Sequence, residues 1–70
     1  MTKYLVIYEK TTSGYCAYVP DLPGCVASGD TKPEVKNNIY DAIEFHLEGL
    51  ILEDEVIPLS QTEAEVLEFA

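Results

Sequence analysis

The segment YCAYVPDLPGCVASGDT, residues 15–31, carries more information about the fold than any other part of the chain. Residues 15–19 are apolar and include aromatic and β-branched side chains that alternate between the two faces of an extended chain, which predicts a strand. Pro20 ends this strand, because proline cannot donate to a ladder. In the PDLPG turn that follows, the prolines fix φ and Gly24 can adopt a conformation that other residues resist. Residues 25–28 then predict a short third strand.

A helix is predicted directly after this segment. Thr31 is a good N-cap and Glu34 lies three residues later, which makes a capping box, while Pro33 falls in the tolerant first turn. The apolar residues that follow have the three, four and seven spacing of one buried stripe. They are Val35, Ile39, Ala42, Ile43, Leu47 and Leu50, with His46 at the edge. We expect this helix to end near Glu53, well before Pro58.

The N-terminal segment KYLVIYE, residues 3–9, predicts a first strand that is apolar on both faces. Alternation places Tyr4, Val6 and Tyr8 on one face and Leu5 and Ile7 on the other. The pattern does not decide which of the two sets the helix covers. KTTSG, residues 10–14, predicts a hairpin loop with Gly14 at positive φ.

The C-terminal segment AEVLEFA, residues 64–70, alternates imperfectly and fits either a strand or a short helix. We favour a strand, because one helix and three short strands leave a thin core. The predicted fold is therefore α+β in the order β-β-β-α-β, as one domain over residues 1–70 with the helix on one face of the sheet. Apolar side chains on the uncovered face favour a protein interface.

The net charge of −9 is confined to the second half of the chain. Residues 1–36 contain four Lys and four acidic residues, whereas residues 37–70 contain nine acidic residues and neither Lys nor Arg. Such a polyanionic half disfavours direct binding to nucleic acid and favours a basic protein partner, although a solvated acidic face kept for solubility has the same composition.

Composition indicates neither a membrane protein nor a secreted one. No apolar run approaches the roughly 20 residues of a transmembrane helix, and the N-terminus lacks the features of a signal peptide, so we expect a cytoplasmic protein. Cys16 and Cys25 are expected to be buried small hydrophobes. Two Cys and one His make a poor zinc set, and the glycines are isolated, so no metal and no cofactor are predicted.

Catalysis is not expected. Cys25, His46 and either Asp21 or Asp41 could serve as nucleophile, base and orienting group, but nothing in their spacing requires it. The three strands offer only Glu9 and Asp21 as ligands for a metal-dependent nuclease, which is too few.

The turn Pro20–Cys25, followed by the Gly29-Asp30-Thr31 helix start, resembles the N-terminal domain of HicB-like antitoxins over about residues 3–53. The resemblance implies a partial RNase H-like fold with the last strand beside the first. It also implies binding and neutralising of a small, basic HicA-like toxin that cleaves mRNA. Family members often carry a C-terminal DNA-binding domain, which this chain is expected to lack, so DNA binding is not inferred.

From the pattern of charge and apolar residues, we expect the toxin contacts at Asp41, Glu44 and Glu48 on the helix and at exposed Tyr4 and Tyr8 on the first strand. A homo-oligomer is also expected. Two alternatives stay open at this point: a self-associating domain without a toxin, and a degenerate nuclease that kept an RNase H-like scaffold.

Overall fold

The computed structural model describes residues 2–70 and contains three strands followed by one helix. The strands are β1 (Ile7–Lys10), β2 (Tyr15–Tyr18) and β3 (Val26–Gly29), and the helix is α1 (Lys32–Leu52). The sheet is antiparallel in the order β1-β2-β3. The α+β class and the β-β-β-α order predicted from the sequence are confirmed.

The predicted fourth strand is wrong. Residues 55–70 form neither strand nor helix, and the chain runs there without a turn or a bend. Alternation of apolar and acidic residues gave this segment a strand-like pattern, but a strand forms only by pairing with a neighbouring strand, and within residues 2–70 this segment pairs with none of the three strands.

The first strand is shorter than the pattern predicts, beginning at Ile7 rather than at residue 3. Ile7 faces Tyr18, so continuing the register would place Leu5 opposite Pro20, which has no N–H to donate. The N–H of Val19 is already donated to the carbonyl of Cys25 at 3.2 Å. The ladder between β1 and β2 therefore stops where the PDLPG turn begins.

Both ends of α1 show the expected local chemistry. Thr31 Oγ1 accepts from the N–H of Glu34 at 3.3 Å, and Glu34 Oε2 accepts from the N–H of Asp30 at 3.0 Å, one residue earlier than in a standard capping box. At the other end, the N–H of Glu53 bonds to the carbonyl of Gly49, and Asp54 has a φ of 55°. This left-handed residue turns the chain out of the helix.

The core lies between α1 and one face of the sheet. Helix α1 packs against β2 and β3. The buried residues are Ala17, Val19, Leu22, Cys25, Val35 and Ile39. Leu22 comes from the PDLPG turn, which folds under the helix and fills the end of the core. Gly24 has a φ of 82°, as the turn predicted, whereas Gly14 has no positive φ and is needed because a Cβ there would collide with the Gly29 carbonyl.

Candidate partner-binding surfaces

An acidic row occupies the solvent side of α1. Asp41, Glu44 and Glu48 are all exposed, and their spacing of three and four residues aligns them on one face of the helix. The buried positions Val35 and Ile39 point the other way, toward the sheet. The structure therefore brings these three predicted contact residues together, on the surface that α1 turns away from the core.

Large apolar side chains flank the acidic row. Tyr40 is 63% exposed, Phe45 is 77% exposed and Ile51 is 66% exposed. A helix face that combines carboxylates with uncovered aromatic groups is typical of a protein interface, because aromatic groups supply the buried contacts and charges supply orientation. The apolar spacing of the sequence does not single out these residues, because it distinguishes helix positions only by the stripe that faces the core.

A second surface lies between β1 and α1. It is a groove of about 280 Å³, lined mainly by apolar groups, and it is called here the β1–α1 groove. Its lining includes Tyr4, Val6, Tyr8, Lys36, Tyr40 and Ile43. The backbone of helix α1 lies close to β2 and β3 and farther from β1, and the groove is the space that this offset leaves between α1 and β1.

The expectation that Tyr4 and Tyr8 are exposed is corrected by the structure. Both are half-buried and pack against the core cluster from the helix side of the sheet. The Nζ of Lys32 lies 5.1 Å from the centre of the Tyr8 ring, within range of a cation–π interaction. The two tyrosines thus belong to a groove flanked by lysines, and the acidic residues belong to a different face.

Within residues 2–70, no helix covers the opposite face of the sheet. Ile7, Tyr18 and Val26 are neighbours across the three strands, and alternation places Leu5 and Cys16 on the same side. Val26 is 65% exposed. This result decides between the two sets left open by the alternation of β1: Tyr4, Val6 and Tyr8 face the helix, and Leu5 and Ile7 face away from it.

Asp21 has a role that the sequence did not indicate. Its Oδ2 accepts from the backbone N–H groups of Gln61 and Thr62 at 3.0 and 3.1 Å, and its Oδ1 accepts from the Thr62 hydroxyl at 2.8 Å. The backbone N–H of Thr62, with the hydroxyl next in importance, lowers the pKa of this carboxyl below its ordinary value. Asp21 therefore tethers the C-terminal segment to the sheet as a carboxylate.

A second contact holds the same segment. The Tyr4 hydroxyl donates to the carbonyl of Pro58 at 2.5 Å. The C-terminal segment is thus fixed to the body at two points: Tyr4, which precedes β1, and Asp21, in the loop after β2. Contacts between residues 40 or more positions apart leave no periodicity in the sequence, so no sequence signal could have identified them.

The two cysteine side chains are covered to different degrees. Cys25 is buried, and its burial raises the pKa of the thiol, which favours the protonated and less nucleophilic form. Cys16 is half-buried. Within residues 2–70, His, Cys, Asp and Glu side chains form no group of three or more that could hold a metal ion. Over the same range, the structure contains no helix with the length and apolar character needed to cross a membrane.

Residues 4–69 match the model of the HicB-like antitoxins of bacterial toxin–antitoxin systems. The chain belongs to the HicB-like antitoxin family. A chain of the HicA3 and HicB3 toxin–antitoxin complex superposes with a TM-score of 0.72 at 30% sequence identity, covering 86% of this chain and 70% of that one. The resemblance seen in the PDLPGC turn and helix start is confirmed.

Curated relatives show the same domain in different contexts. A 14.9 kDa protein of Haemophilus phage HP1 is 46% identical over 57 residues, which cover 81% of this chain and 43% of the phage protein. A UPF0150 protein of Thermoplasma acidophilum is 44% identical over 62 residues, covering 87% of this chain and 90% of that protein. The HicB-like chain thus spans less than half the length of its phage relative and most of its archaeal one.

Proposed function

We propose that this HicB-like chain binds and neutralises a small basic toxin of the HicA type, an mRNA-cleaving enzyme, by direct protein–protein contact. The observation that carries the proposal is the exposed row Asp41, Glu44 and Glu48, set among exposed aromatic groups in a half of the chain without Lys or Arg. Membership of an antitoxin family, and the fold shared with a chain of a toxin–antitoxin complex, support it.

The acidic row suits such a partner for a physical reason. Negative charge confined to one face accelerates the encounter with a basic protein, and apolar side chains that lose water at the centre of the contact provide most of the affinity. Phe45 supplies such a side chain beside the row, and Tyr40 lies at the border between the row and the β1–α1 groove. The contact proposed here is therefore the outer face of α1.

Tyr4 and Tyr8 are less suited to a basic toxin than the sequence suggested. They lie in the β1–α1 groove with Lys36, and Lys32 lies over Tyr8. Two lysines at this groove repel a basic partner and attract an acidic one. We accordingly restrict the proposed toxin surface to the acidic row and its aromatic neighbours.

The test begins with the product of the open reading frame next to this one, which we expect to be short and basic. Glu44→Lys and Glu48→Lys together should slow its association with this chain and flatten the dependence of the rate on salt, because the charges that steer the encounter are reversed. Stopped-flow fluorescence at several salt concentrations measures both effects.

Glu9→Lys is the matched control for Glu44→Lys, since both exchange an exposed glutamate for lysine and only Glu44 lies in the acidic row. The control should associate at nearly the rate of the unchanged chain. Equal slowing by the two substitutions would show that net charge, not the face of α1, governs association. An unchanged rate for the double variant at low salt would rule the surface out.

A further inference from the structure

The last eight residues carry apolar side chains that the body leaves uncovered. Val66 is 94% exposed, Leu67 63% and Phe69 89%. Residues 63–70, called here the tail, follow the tether at Thr62 and form neither helix, strand nor turn. Exposed apolar side chains grouped in this way often mark an interaction site.

The tail is not covered by its own chain. Within residues 2–70, hydrogen bonds to the C-terminal segment stop at Thr62, which is bonded to Asp21. The large apolar side chains beyond this point are all exposed. The structure therefore leaves the backbone and the side chains of the tail available to a second chain.

The edge of β1 is the open edge of the sheet. Within residues 2–70, β1 pairs with β2 alone. At the other edge, the side chain of Asn38 on α1 donates to the Ser28 carbonyl of β3 at 2.9 Å, and α1 packs closely over β3. An added strand therefore finds free backbone groups beside β1, and next to them the apolar β1–α1 groove.

We propose that the tail of one HicB-like chain adds as a strand to β1 of a second copy of the same chain, in an antiparallel register, and that the second copy returns its own tail. Alternation places Glu65, Leu67 and Phe69 on one face of the added strand. Leu67 and Phe69 enter the β1–α1 groove.

The charges of the groove and of the tail favour the antiparallel direction and a second copy of this chain as the partner. With Leu67 in the middle of the groove, the antiparallel direction brings Glu65 to the Tyr8 end, where Lys32 lies 5.1 Å from the ring. Lys32 and Lys36 are two of the four lysines of the chain, and the tail contains three glutamates. A second copy provides the acidic strand that this basic groove fits, and reciprocal exchange gives a closed two-fold dimer.

Sedimentation equilibrium over a concentration series tests the proposal on the full chain and on a chain that ends at Thr62, which keeps the Asp21 tether. The full chain should be a dimer and the shortened chain a monomer. A peptide of residues 63–70 should bind the shortened chain. A strictly monomeric full chain with protected tail amides would mean that the tail folds onto its own body, and this result overturns the proposal. A dimer that survives the truncation also overturns it, and so does a peptide that fails to bind.

A pair of charge reversals locates the contact. Glu65→Lys should weaken dimerisation about tenfold, and adding Lys32→Glu should recover most of the loss. Glu68→Lys makes the same change in net charge on the opposite face of the added strand, so it should have a clearly smaller effect. Equal weakening by Glu65→Lys and Glu68→Lys, or no recovery with Lys32→Glu, overturns the proposed register. None of these measurements involves a toxin, so they are independent of the proposed antitoxin function.

Discussion

The PDLPG turn and the tail are both short, apolar and outside regular secondary structure, yet their side chains have opposite fates. Leu22 in the turn is fully buried, whereas Val66 in the tail is 94% exposed. The turn is closed by its own backbone, since the N–H of Leu22 donates to Val19 and the N–H of Cys25 donates to Leu22, both at 3.1 Å. Among residues 2–70, hydrogen bonds to the C-terminal segment stop at Thr62.

This difference shows that apolar character alone does not bury a residue. Burial also requires that the backbone carrying the side chain be satisfied where it lies, by a turn, a ladder or a side chain. The turn meets this condition within the seven residues from Val19 to Cys25. Within one chain the tail backbone has no such hydrogen bonds. We therefore expect its apolar side chains to be buried only when another chain binds.

Replacing one aliphatic side chain with alanine in each region tests whether the turn is packed and the tail is not. Leu22→Ala should lower the free energy of unfolding by about 2–5 kcal/mol, because it leaves a cavity at the end of the core. Val66→Ala should change it by less than about 0.5 kcal/mol at concentrations where the chain is monomeric. Urea unfolding followed by circular dichroism measures both. Similar losses for the two variants would show that the tail is packed in the isolated chain.

The turn and the helix could be predicted from sequence because their determinants are local. Thr31, Pro33 and Glu34 define the start of α1 within four residues, and the stripe from Val35 to Leu50 repeats at the helical period. The need for glycine at position 24 is also local, because its φ of 82° is one that other residues rarely adopt. The acidic row followed from the same periodicity, since the solvent side of a helix is set once its buried side is known.

The missed features depend on distant parts of the chain. The tail has the alternation of a strand, but whether it pairs depends on meeting the edge of another strand, which its own sequence does not specify. Tyr4 and Tyr8 alternate equally well with Leu5 and Ile7, so the face that α1 covers could not be read from β1 itself. The β1–α1 groove arises from the sideways offset of α1, which no local pattern encodes.

Asp21→Ala should release the C-terminal segment from the body. It should lower the free energy of unfolding less than Leu22→Ala does. The substitution removes the acceptor for three hydrogen bonds from Gln61 and Thr62, so the C-terminal segment should leave the end of the sheet. Amide exchange at these two residues should accelerate about tenfold or more, while the amides of β2 stay protected. Asp30→Ala is the control, since the Asp30 side chain has no bond to this segment within residues 2–70. Unchanged exchange at Thr62 in the Asp21 variant would contradict the tether.

Acid should break the hydrogen bonds of the Asp21 tether. It should lower the free energy of unfolding of the body less than Leu22→Ala or Asp21→Ala does. The bonds from Thr62 lower the pKa of Asp21 in the folded chain, so the carboxylate stabilises the attached segment above the ordinary aspartate pKa of about 3.9. This stabilisation is lost as the pH falls through the lower pKa of the folded state, in the acid range below about 3.9. The chemical shift of the Thr62 amide should follow that transition in an NMR titration. The Asp21→Asn variant keeps an oxygen acceptor but has no carboxyl to titrate, so its Thr62 amide should lack the transition. A Thr62 transition centred above the ordinary aspartate value, or one that persists in the asparagine variant, would assign the pH dependence to another carboxyl and remove Asp21 as the link between body and tail.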